Sequence, residues 1–194
     1  MREREDRDER LPQGRDQRLT VQLRFVSREL AALDELDVEV LVASVFTDVR
    51  PARGVAALCD WRLGGRLSRL MREDFITGAL GEVVMVPGKP KLAFDKIIVF
   101  GLGAKADFDK AAYATVIERV FTTLSQLRVR TAVVELPGRA EGLIDPIVAA
   151  DVVLDEAERD ADIDAWTLVE GLDARAAIEQ HAAERRRRRR VLGE

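Results

Sequence analysis

Apolar positions change their period several times along this chain. Over residues 19–27 (LTVQLRFVS), Leu19, Val21, Leu23 and Phe25 alternate with polar neighbours, which is the spacing of a half-buried strand. Residues 28–37 are polar and read as a short connection. The run over 38–46 (VEVLVASVF) is almost continuously apolar and β-branched, and predicts a strand covered on both faces. A loop around Pro51 follows. Then Val55, Leu58, Leu63, Leu67, Leu70 and Met71 recur near helical spacing, predicting one or two helices over 54–73 with a break at Gly64 and Gly65. Residues 75–80 read as a turn. Residues 81–87 (GEVVMVP) and 96–103 (KIIVFGLG) predict two more strands, the second running into a glycine turn. Asp107 or Asp109 can cap the next helix, which runs to about Leu127 with Ala112, Val116, Val120, Leu124 and Leu127 on its buried face. A fifth strand (131–138, TAVVELPG), a helix (144–158), a last short strand (166–169) and a final helix (173–190) complete the reading.

Strands alternating with helices point to an α/β fold of three layers, helices on both sides of a mostly parallel or mixed central sheet. No internal repeat and no second domain boundary is visible. Residues 1–18 hold six arginines and six acids with almost nothing apolar, and are expected to form a disordered charged arm. Residues 19–184 then form one domain, and residues 185–194 a basic C-terminal tail.

Charge and cysteine content narrow the function classes. The chain is 47% apolar and 34% charged, with a net charge of -4, so no global field draws it to nucleic acid or membrane. Its single cysteine rules out an internal disulfide. The charged N-terminus is unlike a secretory signal, and no apolar run approaches the roughly 18 residues of a membrane span. A cytoplasmic location is expected.

The runs VLVASVF, GVAALCDWRLGGRLSRLM, GEVVMVPG and DKIIVFGLGAKADFD resemble the N-terminal domain of the M17 leucyl aminopeptidases. The best local marks are the buried strand ending in Gly101-Leu102-Gly103, followed by Lys105 and an acidic helix start. This resemblance implies a macro-domain-like α/β/α fold. In that family the two zinc ions and the catalytic residues belong to a separate C-terminal domain. Its metal-binding run, asparagine-threonine-aspartate-alanine-glutamate-glycine-arginine, has no counterpart here; the nearest string, GLDARAAIE at 171–179, shares letters but not order. No metal site, no catalytic residue and no cofactor is therefore expected.

Other candidate chemistry is sparse. The corner holding Gly101, Gly103 and Lys105 can in principle cradle a phosphate with backbone amides, although a G-x-G pair serves any tight strand-to-helix turn. Arg185, Arg186, Arg187, Arg188, Arg189 and Arg190 form a cationic run suited to a phosphate backbone, or simply to the C-terminus of a helix dipole. His181, the only histidine, reads as a solvated helix residue. Cys59 reads as a buried small hydrophobe, with Arg62 and Arg66 close enough to leave a reactive thiol open. Trp61 and Trp166 are expected to pack at the edge of the core, and Arg62, Arg66 and Arg69 to form a basic stripe on the helix beside Trp61.

Three functions stay open at this point. The first is a non-catalytic relative of the M17 N-terminal domain, working as an interaction, oligomerisation or regulatory module, with itself or with an M17 catalytic chain as partner. The second is a nucleic-acid-associated protein using the arginine run. The third is a nucleotide or ADP-ribose sensor at the Gly101 to Lys105 corner.

Overall fold

The computed structural model describes residues 22–159 and 165–192. In chain order the elements are β1 (Gln22–Val26), α1 (Leu30–Asp34), β2 (Val40–Val45), α2 (Gly54–Arg62), α3 (Arg66–Arg72), β3 (Val83–Pro87), β4 (Lys96–Gly101), α4 (Lys110–Gln126), β5 (Thr131–Val134), α5 (Pro146–Arg159), β6 (Ala165–Val169) and α6 (Leu172–Leu192). A 3-10 turn, Lys105–Asp107, precedes α4. The strands form one sheet in the order β1-β6-β5-β2-β4-β3. Every neighbouring pair is parallel except β3 with β4.

Alternation of side chains across each strand builds the layers. Val40, Val42, Ile98, Phe100, Ala132, Val134, Trp166 and Leu168 pack with Tyr113, Val116, Val120, Phe121 and Leu124 of α4 and with Ala149 and Val153 of α5. Leu41, Ala43, Val45, Ile97, Val99 and Val133 face the other way, toward Leu33 of α1, Val55 and Cys59 of α2, and Leu67 and Met71 of α3. Because β2 is paired on both edges and covered on both faces, its apolar run has no room for alternation.

The predicted break between α2 and α3 falls at Gly64 and Gly65, and Asp109 caps α4 by accepting the Ala112 amide at 2.8 Å. Four expectations need correction. The polar connection over 28–37 contains α1, which buries Leu33. Leu127 leaves the buried face of α4 and is exposed, because the helix ends at Gln126. Trp166 is fully buried rather than at the edge, its ring 4.4 Å from that of Phe121, since β6 lies inside the sheet between β1 and β5. Trp61 is the reverse: it stands 74% exposed at the end of α2. The strand expected from Leu19 is described from Gln22 onward, and the charged arm lies outside the described residues. The expected C-terminal tail continues as helix to Leu192.

Candidate functional site

In a parallel sheet, ligands settle beyond the carboxyl ends of the strands where successive connections leave on opposite faces. Here that point lies between β2 and β5. The chain leaves β2 through α2 and α3 on one face, and returns to β5 from β4 through α4 on the other. Glu135 is the residue directly after β5, and its amide extends the ladder by donating to the Val42 carbonyl at 3.2 Å. Its side chain turns into the crevice and is only 2% exposed. Oε2 accepts the Val55 amide in the first turn of α2 at 2.8 Å. Oε1 lies 2.8 Å from Nε of Arg28, which comes from the β1–α1 connection. Arg28 steadies the carboxylate both by its charge and by a side-chain hydrogen bond.

The approach is possible because residue 54 is glycine. Its φ is +60°, and a β-carbon would stand 2.3 Å from Glu135 Oε2. Burial pushes the Glu135 carboxyl up to about 7, against the opposing pull of the Val55 amide and Arg28. Cys59, the next turn of α2, is fully buried. Burial first, then Glu135 and Asp60, push its thiol up to about 12, which leaves it an inert core residue and not a nucleophile.

A second buried carboxylate stands at the end of the next strand. Glu170 follows β6, is 5% exposed, and is gripped by both arms of Arg139 at 2.8 and 3.1 Å. The remaining arm of Arg139 donates to the Ile144 carbonyl at 2.7 Å. Beside them Tyr113 donates its hydroxyl to the Ala149 carbonyl at 3.0 Å, and burial, followed by the charge of Glu170, raises its pKa far above the ordinary phenol range. Two buried carboxylates thus stand at the carboxyl end of the sheet, each paired with an arginine from a loop. Glu135 ties the β1–α1 connection to the start of α2, and Glu170, beside Tyr113 of α4, ties the end of β6 to the β5–α5 loop. Among the described residues no group of three or more His, Cys, Asp or Glu side chains is placed to hold a metal ion.

The residues singled out from the sequence lie elsewhere. At Gly101 a β-carbon would stand 2.0 Å from the Ala79 carbonyl oxygen, so the glycine is required for the loop after α3 to pack on β4. Four amides of that corner are engaged: Gly101 to the Glu82 carbonyl, Leu102 to Val45, Gly103 to Gly78, and Lys105 to the Asp48 carboxylate at 2.9 Å. These are the donors a phosphate would need. The Lys105 side chain is exposed.

The arginine run is divided by its contacts. Arg185 turns back onto α5, with Asp155 at 2.5 Å, Glu158 at 2.9 Å and Asp151 at 3.4 Å. His181, one turn earlier, is not simply solvated: its Nε2 sits 2.6 Å from Asp151. Arg186, Arg187 and Arg188 are exposed, while the side chains of Arg189 and Arg190 lie outside the described residues. The stripe expected on Arg62, Arg66 and Arg69 does not form one face. The helix breaks after Arg62, which pairs with Asp34 of α1, and Arg66 and Arg69 belong to α3.

Glu135, Glu170, Arg28 and Arg139 escaped the sequence reading. Each is an ordinary charged residue beside a turn. The one available signal was a glutamate continuing the apolar run AVV without a polar residue between them.

Residues 44–152 match the N-terminal domain of the cytosol aminopeptidase family. The chain belongs to that family through this domain. A probable cytosol aminopeptidase of Thioalkalivibrio sulfidiphilus is 30% identical over 86 residues, 44% of this chain and 17% of the relative. One from Idiomarina loihiensis is 29% identical over the same shares. The chain thus spans about one-sixth of these relatives' length (17%). In three dimensions it is similar to a macrodomain of Oceanobacillus iheyensis (TM-score 0.68, 11% identity, 87% of this chain and 95% of that one). It is also similar to tomato leucine aminopeptidase (TM-score 0.57, 14% identity, 84% of this chain and 35% of that one). The macrodomain-like α/β/α fold implied by the sequence is the fold observed. The family match includes Glu135 and Arg139 but neither Arg28 nor Glu170, so each buried pair joins the matched segment to flanking chain.

Proposed function

We propose that this domain is a non-catalytic protein-interaction module that associates with an M17 catalytic chain, contributing to its assembly or regulation. The observation carrying this reading is the exposure of Trp61 at 74%, with Phe75, Leu80 and Met85 exposed further along the same α2-to-β3 stretch. Four of the six exposed large hydrophobics among the described residues fall within this stretch. Single exposed apolar residues are ordinary, but tryptophan is the residue type most enriched among interface anchors. The crevice filled by Glu135 and the engaged amides at Gly101 to Lys105 speak against a nucleotide sensor. Among the described residues no helix is long and apolar enough to cross a membrane, which fits action on a soluble partner in the cytoplasm.

Co-expression with an M17 catalytic chain, followed by size-exclusion chromatography with light scattering, tests this reading. A stable complex weakened at least tenfold by Trp61→Ala, with unchanged folding, supports it. Separate elution of the two chains at micromolar concentration rejects it. The exposed Arg186, Arg187 and Arg188 favour one second reading, in which the end of α6 holds a nucleic-acid backbone. Anisotropy titrations should then show binding that falls steeply with salt and is lost when these three become alanine.

A further inference from the structure

The sheet ends at β3, which pairs with β4 on one side only. In an antiparallel ladder alternate residues turn their N–H and C=O groups to the same side. The Glu82 carbonyl accepts the Gly101 amide and the Gly88 amide donates to the Asp95 carbonyl, both at 2.9 Å, so the even-numbered residues of β3 face β4. Val83, Met85 and Pro87 therefore turn their backbone groups outward, where they meet no hydrogen-bond partner among the described residues. Open edges of this kind are usually blunted by a charge on the strand. The opposite edge, β1, carries the exposed Arg24. β3 reads VVMVP: it holds no charge, and its Met85 side chain is 46% exposed.

The charges lie instead on the segments at either end of β3. The segment leading in carries exposed Glu73 and Asp74, and the segment leaving carries exposed Lys89 and Lys91. Lys89 also pairs with Asp95 of its own chain. An edge that runs from acidic to basic is complementary to a copy of itself laid antiparallel, because each acidic end then meets the other's basic end. That is the isologous contact of a two-fold dimer. A copy laid parallel would set like charges together.

We infer that β3 is the contact between two copies of this chain, whose sheets join antiparallel across a two-fold axis into one continuous sheet. With the strands overlapping along their length, Met85 exchanges its N–H and C=O with the partner's Met85, and Val83 donates to the carbonyl of the partner's Pro87. Pro87 lacks a donor only at the end of the overlap, where an edge strand tolerates it. The two exposed methionine side chains cover each other. The contact takes Met85 out of the exposed stretch used in the proposal above and leaves its anchor, Trp61, on α2.

Analytical ultracentrifugation of the full chain alone, from about 1 to about 100 µM, tests the inference, since the dimer fraction must rise with concentration. A dimer is expected at the upper end. Met85→Lys, which puts a charge on the edge, should weaken it at least tenfold with unchanged circular dichroism, and Trp61→Ala should leave it intact. Met85→Cys gives a second measurement that does not depend on how the lysine variant folds, because the native Cys59 is buried. Mild oxidation should link two chains through residue 85, whereas Leu127→Cys, at an exposed position after α4, should not link. A chain that is monomeric at every concentration overturns the inference. So does a dimer lost with Trp61→Ala, a dimer that Met85→Lys leaves unchanged, or equal cross-linking from positions 85 and 127. A monomer that needs Met85 to bind an M17 catalytic chain assigns the edge to that partner and overturns self-pairing. The catalytic chain is absent from all the other samples, so their failure leaves the association proposed above untouched.

Discussion

Gly54 and Glu135 meet at the entrance to α2, where the glycine's missing β-carbon leaves the place that the Glu135 carboxylate takes, 2.3 Å from where that carbon would stand. A side chain at position 54 cannot be added without displacing the Glu135 carboxylate. Gly54→Ala adds left-handed strain at φ +60° and drives the carboxylate from its amide, so it should lower stability by about 2–4 kcal/mol. Urea unfolding measures this. A loss below about 0.5 kcal/mol, the usual scatter of surface changes, would show that the contact is not tight.

The same carboxylate makes stability depend on pH in an unusual direction. Its pKa is raised in the folded state, from 4.5 to about 7, so the folded chain binds the extra proton. The stabilisation is complete below the unfolded value and is lost as pH rises through about 7. The groups acting on it are Arg28 and the Val55 amide, which oppose the shift, and Glu141, which adds to it. Unfolding free energy should fall by up to about 3 kcal/mol between pH 5 and pH 8, at about 1.4 kcal/mol per pKa unit. Glu135→Gln should flatten that fall. If chemical denaturation gives the same pH profile for both proteins, Glu135 is not the titrating group.

The Arg139 and Glu170 pair is buried and bidentate, so removing one partner strands a charge. Arg139→Leu should cost about 3–5 kcal/mol, and joining it with Glu170→Leu should restore most of the loss. Arg139→Lys should recover little, because an ammonium cannot fork onto both carboxylate oxygens and the Ile144 carbonyl. A double mutant no more stable than Arg139→Leu would mean that the pair does more than neutralise itself.

Arg185 is the anchor of the arginine run. Arg185→Ala should speed amide exchange several-fold over the last turns of α6, with a global cost of about 1 kcal/mol or less, since the contacts are partly solvated. Arg187→Ala, on an exposed position, should leave exchange unchanged. Equal effects from both substitutions would show that Arg185 holds α6 no more firmly than its exposed neighbours do.

Much of the fold was legible because hydrophobic period is a local property. The unbroken apolar run through β2 announced a central strand, the spacing from Ala112 to Leu124 announced α4, and Gly64-Gly65 marked the break between two helices. The helix α1 was missed because LAALD is too short to show a period, and it is held in place by burying Leu33. Trp61 and Trp166 looked alike in sequence. One is solvated and the other fully buried, because burial depends on what a strand or helix is placed against.

The candidate site was not legible for the same reason. Glu135, Val55 and Arg28 lie in three separate segments, and only the sheet order β1-β6-β5-β2-β4-β3 brings those segments to one end of the molecule. The sequence by itself determined where the strands and every helix but α1 lie, which faces are apolar and which family the chain resembles. Tertiary structure alone decided which charges are buried together, which amides at the Gly101 corner are engaged, and which arginine of the run is anchored. Those outcomes rest on long-range pairings, and no local pattern encodes the distance between residues that meet only after the sheet has closed over them.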